Sequence, residues 1–371
     1  MRKMLMVATV PSMIGQFNMN NIKILQESGY EVHIACDFTD RSVWNEERIM
    51  KFQNDIKENG VKGFQIDFSR SAIRINKHIH SYKQLLHLTK ESNYTFIHCH
   101  TPIAGAIARL VCKKASIKCI YTAHGFHFYT GAPIKNWLFF YPIEKILSKY
   151  TDVLITLNHE DYQRALKKLK AKKVEYIPGI GINTEVYSVK KNDRIDYRRK
   201  LNLNKDEIMI MSIGELNKNK NHSIVLEAIS KLNDKNIHYF IAGEGIEKEH
   251  LVQKAKQLSL ENNFHLLGYR TDINELLHCT DIYVHPSFRE GMPVSLMEAI
   301  ASEVYCIASD IRGNKDLIKN NDLLFNPKSV ESIVYLLSQR KFIYKKDNYI
   351  STQLIDKNNC IKMMERIYDE M

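Results

Sequence analysis

The 371-residue chain has no run approaching the roughly 20 consecutive apolar residues that cross a bilayer. Near the N-terminus the apolar run is short and soon meets Pro11, which suits a first buried parallel strand and excludes a secretory signal. None of the seven cysteines (36, 99, 112, 119, 279, 306, 360) stands in a Cys-x-x-Cys pair, and most lie in strand-like apolar runs. They read as reduced core thiols of a cytoplasmic protein, which excludes a disulfide scaffold or a cysteine metal site. No Asp-x-Asp motif is evident, so no metal is expected. Neither an aromatic–basic stacking pattern nor a nucleic-acid motif is found, and no nucleic-acid partner is expected. Short repeats and low-complexity tracts are absent as well.

What is there is ordinary for a water-soluble globular chain: 44% apolar and 26% charged residues. The length favours two α/β domains. The net charge of +11 is uneven. Residues 1–187 hold 26 Lys+Arg against 16 Asp+Glu, a net of +10, and the remainder holds 27 against 26. A basic first half suits either a solvated surface or contact with an anionic membrane face.

Short apolar runs alternate with helical periodicity, a pattern that predicts parallel sheets with helical crossovers. Such runs occur at 5–10, 31–36, 64–68, 96–100, 119–123, 153–157 and 174–177, then at 208–213, 239–242, 264–267, 282–285, 305–308 and 323–325. Between the two series lie a Gly-rich passage, 178–187, and a charged stretch, 190–200, which read as a hinge. The expected division is 1–187, 188–350, and a final segment 351–371 containing an amphipathic helix (Ile361, Met364, Ile367, Tyr368).

The segment 286–301 carries Glu290 and Glu298 eight residues apart, with Gly291, Met292 and Pro293 following the first acid. Strand, Gly loop and helix start make an anion site, because free N–H groups of a first turn point outward. Eight helical residues would rise about 12 Å, enough to place a carboxylate at each end of a nucleotide sugar. Two solvated glutamates on a surface helix is the simpler alternative. Loops at 212–222, with Gly214, Lys218 and Lys220, and at Gly243-Glu-Gly245 follow earlier strands and belong on the same carboxyl sheet edge. Each alone is a weak phosphate signal.

These motifs, with Gly268-Tyr-Arg-x-Asp272 and residues 309–318, resemble glycosyltransferase family 4, retaining enzymes of GT-B fold. The likeness extends to enzymes of capsule and exopolysaccharide synthesis. It implies an α/β architecture of two Rossmann-like domains facing each other across a cleft, the first binding acceptor and the second donor, with the last helix packing back on the first. It further implies that Lys220 binds the donor diphosphate, Glu290 contacts the donor sugar, Glu298 holds the ribose, and Tyr269-Arg270 receives the base. Gly214, Gly243, Gly245, Gly291 and Met292 would complete the donor site. Family members usually carry Arg where this chain has Glu215; a carboxylate beside a diphosphate is repulsive, so Glu215 is expected to point away.

In the first half, Tyr121-Thr-Ala-His-Gly-Phe-His127 leaves a strand for an aromatic loop. The resemblance makes His124 a catalytic contact with donor sugar or acceptor, and His127 the second choice. Gly15 stands where family members have a Gly-rich acceptor loop. His98 and His100 read as sheet packing. The stretch 134–149 could lay Trp137 and Phe140 into a bilayer, although such a run is more often a helix packed on the sheet.

The expected activity is transfer of a sugar from a nucleotide-diphosphate donor, UDP-linked by preference, to a growing glycan. The acceptor is read as polyprenyl-diphosphate-linked, at the inner face of the cell membrane. No cofactor beyond the co-substrate is implied. Two alternatives stand: a UDP-N-acetylglucosamine 2-epimerase-like isomerase, and a non-catalytic nucleotide-sugar-binding protein.

Overall fold

The computed structural model describes residues 2–188, 194–339 and 342–371. The chain divides into two compact units, Met1–Ile180 with Cys360–Met371, and Gly181–Asn359.

The first unit is a seven-stranded parallel sheet: β1 (Arg2–Val7), β2 (Tyr30–Cys36), β3 (Lys62–Gln65), β4 (Phe96–His100), β5 (Lys118–Ala123), β6 (Val153–Thr156) and β7 (Lys173–Tyr176). Their order is β3-β2-β1-β4-β5-β6-β7. Met4 to Val7 and every residue of β4 are buried, as expected for strands covered on both faces by crossover helices. The last helix, Lys357–Asp369, completes this core: the Tyr368 ring stacks on Phe96 at 5.9 Å and its hydroxyl lies 2.9 Å from His98 Nδ1.

The second unit repeats the plan with six strands: β8 (Ile208–Ile213), β9 (Ile237–Ala242), β10 (Phe264–Gly268), β11 (Ile282–His285), β12 (Tyr305–Ser309) and β13 (Leu324–Phe325). The order β10-β9-β8-β11-β12-β13 puts a topological switch between β8 and β11. In such sheets, ligands bind beyond the carboxyl ends of the strands at that switch.

The division differs from the expected 187/188 and 350/351 boundaries. Ile182 bridges Asp356, its N–H donates to Ile355 O at 2.9 Å, and Lys357 N–H returns to Ile182 O at 2.8 Å. Residues 181–187 and 351–359 are therefore bound to one another inside the second unit. Gly181 has φ +68°, and a Cβ there would lie 2.7 Å from Lys357 Cα, so only glycine lets the two segments pass.

The charged stretch 190–200 is also not all linker. Residues 189–193 lie outside the described residues, but Arg194–Lys200 is a helix of the second unit. Buried Arg198 anchors it by donating to Cys279 O at 2.9 Å and Asp281 Oδ2 at 3.0 Å. A guanidinium can satisfy several acceptors at once, so a basic run can dock as well as link.

Candidate active site

The loops after β8, β9 and β11 meet at the carboxyl edge of the second sheet. Gly214 N–H donates to Ala242 O at 3.0 Å, Gly243 N–H to Gly268 O at 2.8 Å, and Leu216 N–H to Glu244 O at 2.8 Å. A Cβ on Gly243 would stand 1.9 Å from Gly214 O, so the two turns fit only without a side chain. Gly245 is crowded in the same way by Leu216.

Over this platform lies Lys220. Asn217 shapes its loop by accepting from Lys220 N–H, and Asn219 and Asn221 tie the loop to Arg289 O and Pro286 O beyond β11. The clasp puts Lys220 Nζ 2.7 Å from Glu290 Oε1. His285 Nε2 lies 3.4 Å from the same oxygen. Burial works against the charge on Glu290, yet Lys220 and His285 outweigh it and hold the carboxyl well below its usual range. Burial also pulls the pKa of His285 down, so its imidazole is neutral. The ionised pair is Lys220 and Glu290.

Glu298 is shifted the other way. Burial raises its pKa, and Tyr187 donates to its Oε1 at 2.7 Å. The helix carrying it, Val294–Ala301, starts four residues after Glu290, so Glu290 lies on the loop before the helix, as read from the sequence, and a rise over eight helical residues does not set the distance between the two acids. Pro293, with φ −79° and ψ 113°, is the extended residue that opens the helix, and Glu290 is a loop residue. Buried Leu296, Met297, Ala299 and Ile300 fix the helix against the core. Gly291 and Met292 bridge loop and helix. Gly313 packs so closely on them that a Cβ would lie 2.5 Å from Gly291 O.

Glu215 is exposed and accepts from Asn217 Nδ2 at 2.9 Å, while Lys220 is held by Glu290. Tyr269 is exposed after β10. Arg270 is engaged, with its Nε donating to Asp272 Oδ1 at 2.7 Å and an Nη to Tyr197 Oη at 3.1 Å. A base received here would meet Tyr269 and the backbone, with Arg270 bracing the turn. Among the described residues, no group of three or more His, Cys, Asp or Glu is placed to hold a metal ion.

In the first unit, His124 follows β5 and its Nε2 lies 3.2 Å from His100 Nδ1. His98 bonds Tyr368 and Thr122, the latter at 2.8 Å. Burial lowers the pKa of His98 to about 3 and of His124 to about 4, so both are neutral near pH 7. His100 does more than pack the sheet: it supports His124 and lines a cavity of about 40 Å³ with it. His127 stacks on Phe140 at 4.4 Å between ring centroids.

The structure departs from the acceptor-loop reading of Gly15 and agrees with the packed-helix reading of 134–149. The segment containing Gly15 is a helix, Pro11–Phe17, and a Cβ on Gly15 would lie 2.4 Å from Trp44 Cη2. Its glycine accommodates a tryptophan. Trp137 and Phe140 face the core, with Trp137 against Phe128 at 5.7 Å. The exposed apolar residues of the helix Ile134–Leu147 are instead Ile134, Leu138, Phe139, Ile143 and Ile146.

Sequence reasoning missed His285, Tyr187 and the role of His100. Strand parity held two of the signals: His285 shares a face with Tyr283, and His100 stands opposite Thr122 in register, two residues before His124. Tyr187 had none, because its partner is 111 residues away.

A doubly wound parallel sheet with a Lys–Glu pair and glycine turns at its switch point is an α/β frame of the kind that carries its site at that edge. Residues 193–348 match the family of glycosyl transferases group 1 and residues 15–186 match glycosyltransferase family 4. EpsD of Bacillus subtilis (strain 168), a glycosyltransferase by name, is 34% identical over 342 residues, covering 90% of this chain and 85% of EpsD. The Escherichia coli UDP-Gal:alpha-D-GlcNAc-diphosphoundecaprenol alpha-1,3-galactosyltransferase is 26% identical, covering 85% of this chain and 84% of that protein. Anabaena Alr3699/HepE, solved with UDP, superimposes with a TM-score of 0.78 at 15% identity over the whole of both chains, and it has also been solved with UDP-glucose. The chain belongs to glycosyltransferase family 4. It is a glycosyltransferase of GT-B fold.

Proposed function

We propose that the enzyme transfers a hexose from UDP to a lipid-linked saccharide during bacterial surface-polysaccharide synthesis, with retention at the anomeric carbon. The observation that carries this reading is the Lys220–Glu290 pair at the carboxyl edge of the second sheet. A diphosphate arriving there takes Lys220 as its counter-charge, together with the free N–H groups that begin the helix Val294–Ala301. Glu290, released from Lys220 and kept ionised beside His285, then accepts hydrogen bonds from sugar hydroxyls. Glu298 takes the ribose hydroxyls in place of Tyr187. UDP and UDP-glucose bound to Alr3699/HepE support the choice of nucleotide.

As the anomeric C–O bond to the diphosphate breaks, the electron pair stays on the leaving oxygen, where Lys220 stabilises it. The acceptor hydroxyl attacks from the same face and passes its proton to that oxygen, so no enzymatic base is needed. His124, neutral, orients a hydroxyl of donor or acceptor. The lipid-linked acceptor follows the diphosphoundecaprenol named for the E. coli relative. No described helix is long and apolar enough to cross a membrane. The basic residues 1–187 would meet such an acceptor at an anionic membrane face.

A thermal-shift panel of nucleotide sugars tests the donor. At 100 times its dissociation constant the right one stabilises by about 2.7 kcal/mol. Transfer followed by NMR of the new anomeric centre tests retention, and an inverted product rejects it. Epimer formed from UDP-N-acetylglucosamine alone, with no acceptor present, would replace this reading by an isomerase.

A further inference from the structure

The first unit contains an apolar cavity of about 270 Å³ between the helices Pro102–Ala115 and Ile134–Leu147. Ala106, Ile107, Phe126, Phe128 and Phe140 are among its walls. Its two charged lining groups neutralise each other: buried Arg109 holds Glu144 in a bidentate pair, spends its Nε on Gly105 O at 3.0 Å, and lies 4.0 Å over the Tyr121 ring. An apolar occupant would therefore strand neither of these two charges; the polar atom left without a partner in the lining is His78 Nδ1.

A second cavity, of about 470 Å³, adjoins it and shares the wall residues Ala72, Pro102, Ile103, His127 and Phe140. Beside the apolar Val10, Met13, Phe17 and Val43, its lining adds Thr9, Ser12, Gln16, Thr101 and Arg70, one Nη of which donates to Ser42 Oγ at 2.6 Å. The two cavities thus adjoin across a common wall, the first almost wholly apolar and the second apolar with a polar edge that carries one cation, Arg70. At the apolar mouth, Leu110, Phe139 and Ile143 are exposed, with Lys135 and Lys145 on the same helix as the latter two. Neighbouring Ile73, Ile75 and Ile79 are exposed too.

We infer that the two cavities together hold the lipid carrier of the acceptor: its isoprenoid chain between the two helices, its phosphate toward Arg70. The charge order matches an amphiphile with an anionic head, and the apolar mouth lets the chain enter from a bilayer without crossing water. This inference rests on the reading of the acceptor as lipid-linked.

Farnesyl phosphate below its micelle concentration, titrated against the full chain by tryptophan fluorescence, tests it. Wild type is expected to bind one equivalent saturably. Ala106→Trp, which fills the apolar end, should weaken binding about tenfold, since two lost methylene contacts suffice for that factor. Ile143→Glu at the exposed mouth should do the same and guards against misfolding of the tryptophan variant, with circular dichroism confirming both folds. Arg70→Gln should weaken farnesyl phosphate several-fold and leave farnesol unchanged. Wild-type affinity in both Ala106→Trp and Ile143→Glu overturns the apolar site, and equal loss of farnesol and farnesyl phosphate in Arg70→Gln overturns the placement of the head. Transfer to a lipid-linked acceptor undiminished in Ala106→Trp removes the cavities from the reaction and leaves the proposed function standing. Farnesyl phosphate binding without transfer from any UDP-sugar does the reverse.

Discussion

Lys220 and Glu290 each depend on the other's charge. Replacing Lys220 by Ala removes the counter-charge of the departing diphosphate, a loss of about 2–4 kcal/mol of transition-state stabilisation. Turnover reduced by less than about tenfold, in protein that still melts cooperatively, would reject Lys220 as the diphosphate group. Glu290 offers an independent measurement. Its folded pKa lies well below the ordinary 4.5, so its charge stabilises the fold above that value, and the contribution is lost as pH falls beneath it. Denaturant unfolding of wild type should therefore weaken between about pH 5 and pH 3.5, by up to about 1.4 kcal/mol per pH unit from this group. In Glu290→Gln that slope should shrink, and an unchanged slope would show that the pair is not formed. Tyr187→Phe leaves Glu298 without the hydroxyl it accepts from, which should cost about 1–3 kcal/mol in unfolding free energy.

At the scale of elements, the site is a set of turns that tolerate no extra atom. Gly243→Ala would set a methyl 1.9 Å from Gly214 O, so one loop must move. The expected result is a loss of about 2–3 kcal/mol in stability and a weakened UDP-sugar thermal shift, well beyond an ordinary Gly→Ala change. A variant with native melting and native donor response would mean the turns are slack. The strands were legible in the sequence because fully buried parallel strands are near-continuous apolar runs, as in β8. Glycine turns at the ends of β8 and β9 were legible for the same local reason. Glu290 on the loop and Pro293 at the helix start were legible too, but the distance between Glu290 and Glu298 was not, because a rise over eight helical residues does not apply to a pair that straddles the helix start. Gly15 misled in a different way. A glycine needed for Trp44 looks in sequence like one needed for a ligand. The face of Ile134–Leu147 that stays exposed was hidden too, since the helix is apolar nearly all round.

For the whole molecule, the last helix decides whether the first unit closes. Met364, Ile367 and Tyr368 are buried, and His98 and Phe96 rest on Tyr368. Ending the chain at Asn359 uncovers these groups at about 1.5–3 kcal/mol per large side chain, a large share of the 5–15 kcal/mol that holds a typical domain. Two-step thermal unfolding is expected, with the first unit's transition lowered or absent and the second still raised by a UDP-sugar. A single unshifted transition would show the helix to be dispensable. The distant Tyr187–Glu298 contact and the paired segments at Ile182 and Asp356 were invisible in sequence, because nothing local encodes a partner more than a hundred residues away.

That pairing has a genetic meaning. The second unit is one uninterrupted stretch, 181–359, whose two ends are stitched side by side by Ile182, Ile355 and Lys357. A coding segment with adjacent ends can be lifted out, exchanged between relatives or given new termini without rerouting the chain. Recombination at these two points would swap one half of the enzyme as a cassette, while the first unit keeps its own closing helix.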